Sequence, residues 1–140
     1  MRQIKNCEKK LYRIVDANLN RAKEGLRVCE DVCRFILDDK ASTKEFKSLR
    51  HQLTTVMSSL KISCLVGCRD IDHDVGRLTN PTELKRKEVA DIFYANSQRV
   101  KESIRVLEEF AKLVHRAMAQ DLKAFRYKIY ALEKKVTQQF

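Results

Sequence analysis

No stretch of this sequence approaches the roughly 18 consecutive apolar residues that a membrane span needs, and its opening MRQIKNCEKK has no apolar core of the signal-peptide kind. These absences predict a cytoplasmic chain that no membrane holds. Tryptophan is missing, proline occurs once and glycine three times. So few turn-formers argue against a many-stranded sheet, and 44% hydrophobic with 34% charged residues argues against a disordered chain. Cysteine occurs five times, an odd number, and the pairs Cys29/Cys33 and Cys64/Cys68 are spaced four apart, not as the C-x-x-C that grips zinc. They read as free thiols. The glycine-rich patterns G-x-x-x-x-G-K-[ST] and G-x-G-x-x-G are also absent, so phosphate recognition would fall to arginines and helix N-termini. His51, His73 and His115 form no ligand cluster, and no nucleophile–base arrangement is visible.

What is abundant is positive charge: 29 Lys and Arg against 19 Asp and Glu, a formal net charge of +10. An anionic partner follows, and nucleic acid, acidic lipid and phosphorylated metabolites all qualify. The basic residues are spread through the chain with no nucleic-acid reader motif, so a solvated surface accounts for most of the lysines.

The 140 residues suit one domain with its own core. Apolar residues from Cys7 to about Leu37 recur at intervals of three and four, which predicts one long amphipathic helix. Ser42 with Glu45 has the form of a capping box opening a second helix that runs to about Leu65. Residues 67–81, GCRDIDHDVGRLTNP, hold two of the three glycines and the only proline and form the one substantial loop. Asn80, Pro81 and Glu83 then supply an N-cap, Pro at N1 and Glu at N3 for a third helix, patterned through Ile92, Val100, Ile104, Leu107, Ala111 and Val114. A fourth helix runs from about Met118 to the end.

The chain repeats itself. Shifted by 78 positions, ANLNRAKEGLRVCED (17–31) lies over ANSQRVKESIRVLEE (95–109) with eight of 15 residues identical, and most of the matches are polar. Shifted by 76, KSLRHQL (47–53) lies over KAFRYKI (123–129), with Arg50 over Arg126. The expected fold is all-α: an up-down bundle of two repeated helical hairpins, about residues 7–65 and 81–140 of a single domain, joined by loop 66–80 and related by an approximate two-fold axis.

At about 100° per residue, Asn18, Arg21 and Gly25 fall within roughly 60° of one another along the edge of the apolar stripe, as do Asn96, Arg99 and Ser103 in the second copy. A mid-helix glycine costs up to about 1 kcal/mol relative to alanine, and an unpartnered buried Asn about 1–3 kcal/mol. Either the helices approach closely at Gly25 or a ligand does. Two such sets suggest a polar cavity between the halves, and an Asn–Arg–Glu network fixing helix register is the alternative. Glu24, Arg27, Glu102 and Arg105 lie nearer the solvated face, with Glu30, Asp31 and Glu108 as ion-pair partners three or four residues away. Arg50 and His51 are the pair on the second helix best placed to reach a site. In the loop, RDIDHDVG lacks the glycine position and the twelfth-position Glu of a calcium loop, whereas magnesium asks only one or two carboxylates and could use Asp70 and Asp74, with a merely solvated loop as the alternative.

RIVDANLNRAKEGLRVCEDVCRF, LRH, RDIDHDVG, ELKR, ANSQRVKESIRVLEEFAKL and FRYKIYALEK resemble, over about Leu11 to Lys135, the helical hydroxymethylpyrimidine phosphate kinase family. In some bacteria that domain precedes thiamine phosphate synthase. With no synthase sequence following, the resemblance implies the kinase step alone, with a functional link to the synthase. It implies ATP as phosphoryl donor, Mg2+, and phosphorylation of 4-amino-5-hydroxymethyl-2-methylpyrimidine phosphate to the diphosphate in thiamine biosynthesis.

Such a reaction attacks with a phosphate oxygen, largely ionised at neutral pH because its second pKa is about 6, so no general base is required. It needs charge neutralisation and in-line positioning. On that chemistry Arg21, Arg99 and Arg69 are expected at the phosphates and Asp70 and Asp74 at magnesium. Asn18 and Asn96 would hold the aminopyrimidine edge, with room left by Gly25 and Ser103, and Arg50 and His51 would complete the substrate contacts. The expected partners are the phosphorylated pyrimidine and a nucleotide, not nucleic acid or membrane, and a homodimer stays open. The rival reading is a non-catalytic basic helical module that binds RNA or a protein; it leaves the Asn and Arg on the core-side edge of two helices without a purpose.

Overall fold

The computed structural model describes residues 6–140, apart from the side chain of Glu83. Among the described residues every regular element is helical. Helix α1 spans Asn6–Asp31, α2 Lys40–Val56, α3 Ile62–Gly67, α4 Val89–Val114 and α5 Arg116–Thr137. Helix α1 packs on α2 and α4, and α5 on α4 and α2, which closes a four-helix bundle. Its centre holds Leu26, Phe46, Leu53, Phe93, Ile104 and Leu122, and Phe46 meets Phe93 edge to face at 6.1 Å. No helix among the described residues is long and apolar enough to cross a membrane.

The α1–α4 crossing is antiparallel. Cys29 Sγ lies 3.9 Å from the Phe93 carbonyl, Gly25 faces Asn96 and Val100, and Ala17 and Asn18 share a cleft wall with Val106. All five cysteines are free thiols. Burial pushes the Cys29 and Cys33 thiols up to about 12, so both behave as small apolar groups.

Several boundaries differ from the sequence expectation, each for a local reason. The first helix reaches Ile36, but its last turn, Val32–Ile36, is π-helical, and Asp38 turns the chain with φ 49°. Asp39, not Ser42, caps α2, its carboxylate accepting from the Ser42 N–H at 3.0 Å. That helix stops at Val56, short of Leu65. Thr54, Thr55 and Ser58 turn their hydroxyls back onto the carbonyls of Arg50, His51 and Thr55, and Leu60 is extended before α3 begins.

The third long helix opens at Val89, not at Asn80. Asn80 does accept from the Thr82 N–H at 3.1 Å, but only a 3-10 turn, Pro81–Leu84, follows; the expected N3 carboxylate of Glu83 lies outside the described residues. Leu84 is 75% exposed, and a turn with no face to bury does not propagate. The working cap is Glu88, in a reciprocal box with Asp91. In α4 Ile92 is exposed and the core position belongs to its neighbour Phe93.

Candidate functional site

Helix α1 carries an acid on its buried side. Asp16 is 6% exposed and accepts two hydrogen bonds from the Arg69 guanidinium, Nε to Oδ2 at 2.7 Å and Nη2 to Oδ1 at 2.9 Å. Arg13 Nη2 donates to the Asp70 carbonyl at 3.3 Å. These contacts draw the start of the long loop onto α1 and bound a cleft of about 680 Å3. Its polar wall includes Lys10, Arg13, Asn18, Arg21, Asp70 and Asp74.

Of the expected site residues, Asn18, Arg21, Arg69, Asp70 and Asp74 therefore meet in one cleft. Asn18 is buried, its amide donating to the Ile14 carbonyl at 2.9 Å and its Oδ1 facing Arg21 Nη1 at 3.5 Å. Arg69 has both faces of its fork on Asp16, which makes it the loop's tether. Lys10 and Arg21 are left as the exposed cations of the cleft, with Arg13 half-buried and one N–H on the Asp70 carbonyl.

Asp70 receives the backbone N–H and ring Nδ1 of His73, and these hydrogen bonds hold its carboxyl below the usual range. Asp74 Oδ1 accepts from the Gly76 N–H at 3.0 Å, and its other oxygen has no partner among the described residues. No cluster of three or more His, Cys, Asp and Glu that could hold a metal is assembled among the described residues. Asp70 and Asp74 are two loop carboxylates on the same cleft, and both Asp70 oxygens lie 3.0 Å from His73 Nδ1.

The rest of the expected set lies elsewhere. Asn18 and Asn96 do not share a cavity: Asn96 faces Gly25, seven residues or about 10 Å along α1 from Asn18. Gly25 leaves no room for a ligand. A β-carbon there would stand 2.7 Å from Val100 Cγ2 and 3.0 Å from the Asn96 carbonyl, so the missing side chain serves helix contact. Ser103 is buried and donates to the Arg99 carbonyl at 2.7 Å; Arg99 is exposed and outside the cleft. The antiparallel crossing, with Ala22 and its counterpart Val100 near its middle, carries matching residues to opposite ends.

Arg50 and His51 line a second cleft of about 570 Å3 on another side of α1, with Lys23, Glu24, Arg27 and Thr54. Beneath it Glu30, 3% exposed, accepts from Arg50 Nε and Nη2 at 3.2 and 3.1 Å, and Arg27 stands 3.8 Å away. The second copy repeats the arrangement: Glu108, 4% exposed, accepts from Arg126 Nε at 2.9 Å and Arg105 Nη1 at 3.2 Å. The acids flanking Arg27 and Arg105 thus pair as their spacing predicts.

Sequence reasoning missed Lys10, Arg13 and above all Asp16. A signal was present: in the repeat it lies over Tyr94, so an acid borders the apolar stripe in one copy alone.

The ThiD2 family pattern matches residues 13–135. The thiamine-phosphate synthase of Synechocystis sp. is 45% identical over 124 residues, 88% of this chain and 35% of that protein. The thiamine-phosphate synthase of Nostoc sp. is 41% identical over 132 residues, 94% of this chain and 36% of that protein. That of Rhodopirellula baltica is 37% identical over 122 residues, 86% and 32% of the two chains. The chain spans about a third of the length of the curated relatives it matches. No solved structure matches it.

Proposed function

This chain belongs to the ThiD2 family, and from that footing we propose that it serves thiamine biosynthesis as a hydroxymethylpyrimidine phosphate kinase working in the first cleft. The observation that carries the reading is the Asp16–Arg69 clamp, which sets two loop carboxylates opposite three cations of α1.

Transfer of the γ-phosphoryl group of ATP to a phosphate monoester brings two polyanions together, and their repulsion is the first obstacle. Lys10, Arg13 and Arg21 supply positive charge along one wall, and Arg21 offers the planar fork that suits phosphate oxygens. The acceptor oxygen is already ionised, so a site without a general base suffices. Asn18 spends one N–H on Ile14, and its Oδ1 is an acceptor that can orient Arg21 or take an exocyclic amino group. Asp70 and Asp74 would hold Mg2+, which when bound neutralises the β- and γ-phosphates. Asn96, Arg99, Gly25 and Ser103 have no part in this site.

The test is a coupled assay of ADP release with hydroxymethylpyrimidine phosphate and MgATP. The expected outcome is substrate-dependent ADP formation, lowered about 10²-fold by Arg21→Ala, as for removal of one preorganised charge-stabilising donor. ADP release that does not respond to the pyrimidine phosphate would remove the kinase reading.

A further inference from the structure

The connector between the two hairpins is apolar where a solvated loop would be polar. Every described residue from Ile71 to Glu88 is exposed, and Ile71, Val75, Leu78 and Leu84 are 62%, 102%, 90% and 75% exposed. Its turns are closed locally, by Asp74 Oδ1 on the Gly76 N–H and Asn80 Oδ1 on the Thr82 N–H. A connection this long, with one short 3-10 turn of its own, is characteristically a functional segment, and four aliphatic side chains held out on it mark a contact surface.

The connector also has a direction. At its start Arg13 of α1 donates to the Asp70 carbonyl, and at its finish Glu88 caps α4, beside the end of the bundle where Cys29 meets the Phe93 carbonyl. Arg13 and Cys29 are separated by about 24 Å of helix, so the segment runs lengthwise along the bundle. Asp70, Asp72 and Asp74 stand at its first end and Lys85, Arg86 and Lys87 at its last, with Val75, Leu78 and Leu84 between. Asp72 has only a loose pairing with Arg77, at 3.8 Å with both side chains well exposed. The three basic residues form no ion pair among the described residues, and nearby Asp91 spends its carboxylate on the Lys87 and Glu88 N–H groups.

We propose that the connector is the contact face between two molecules of this chain, paired about a two-fold axis so that their connectors run antiparallel. Each acidic end then meets the other molecule's basic end, and the aliphatic side chains of both are buried between them. A parallel pairing would oppose like charges. At a formal net charge of +10 two molecules repel each other in general, so their attraction has to be local, and the acidic end supplies it. A standard interface draws roughly 20–30 residues from each side, which the connector approaches alone. Ile71 and Asp74 also line the first cleft, so the second molecule stands at its mouth. The contact holds independently of the kinase chemistry proposed for that cleft.

Sedimentation velocity of the whole chain, from about 1 to 100 µM, tests this. The expected result is a reversible dimer. Val75→Ser with Leu78→Ser, at positions too exposed to matter for folding, should raise its dissociation constant about 10²-fold with the helical circular dichroism unchanged. Lys85→Glu with Lys87→Glu should raise it about tenfold. That reversal lowers the net charge and relieves the general repulsion, so a weaker dimer is the signature of the charge register. Three outcomes would overturn the proposal: a chain that stays monomeric throughout, which leaves the connector to a different protein; a dimer indifferent to the serine pair; or one left unchanged or tightened by the glutamate pair. None of these readouts depends on ADP release.

Discussion

Gly25 shows how a single position decides between two uses of empty space. Its absent side chain accommodates Val100 and the Asn96 carbonyl, and because the carbonyl belongs to a backbone, a β-carbon forces α1 and α4 apart. Gly25→Ala gains up to about 1 kcal/mol of helix propensity but meets an overpacking cost of about 1–3 kcal/mol. We expect a net loss of about 1 kcal/mol, seen as a lower urea midpoint at unchanged slope. A variant more stable than the parent would contradict the close-contact account. The sequence marked position 25 as needing a reason, but helical spacing alone cannot say what stands opposite. Asn18 was legible in the same partial way: its placement on the core-side edge was right, while its use of Ile14 as a partner depends on coordinates.

Among the elements, α2 depends most visibly on its first residues. Contacts with the Ser42 side chain and backbone N–H, then with Gln139 Nε2 at 2.7 Å, bring the Asp39 carboxyl down to about 2. A depressed carboxyl contributes stability that is present above its unfolded pKa, about 3.9, and is lost as pH falls through the folded value. Urea unfolding followed between about pH 5 and pH 2 should therefore show stability decreasing toward acid, and Asp39→Ala should lose about 1 kcal/mol at neutral pH and part of that slope. An unchanged slope in the variant would place the acid sensitivity elsewhere. The long helices and their buried stripes were readable from apolar spacing because that spacing is what the core selects. Their ends were not, since Ser42 with Glu45 and Asn80 with Pro81 look as good on paper as Asp39 and Glu88. The choice falls to whichever start lets a face be buried, and Leu84 has none while Phe93 has the whole core.

For the molecule as a whole, the repeat is expressed most clearly in two buried acids, Glu30 under Arg50 and Glu108 under Arg126. Removing either acid takes away charge-assisted hydrogen bonds from an arginine that keeps part of its surface in solvent, so Glu30→Ala and Glu108→Ala should each destabilise by about 1–3 kcal/mol, measured by chemical unfolding. A large effect at one and none at the other would separate the two copies energetically. Matching residues exposed this framework, and departures from matching fall at the clefts, with Asp16 over Tyr94 and Thr54 over Tyr130. A search for identity between the copies therefore finds what holds the bundle together and passes over what distinguishes its clefts. The connector from Cys68 to Glu88 belongs to neither copy, and its Ile71, Val75, Leu78 and Leu84 all stand in solvent. Doubling the length of such a segment adds only about 0.6 kcal/mol of closure entropy. Insertions and deletions can thus accumulate there over generations at almost no cost to the bundle, and a descendant altered in this stretch would inherit the same core with a differently shaped mouth to its first cleft.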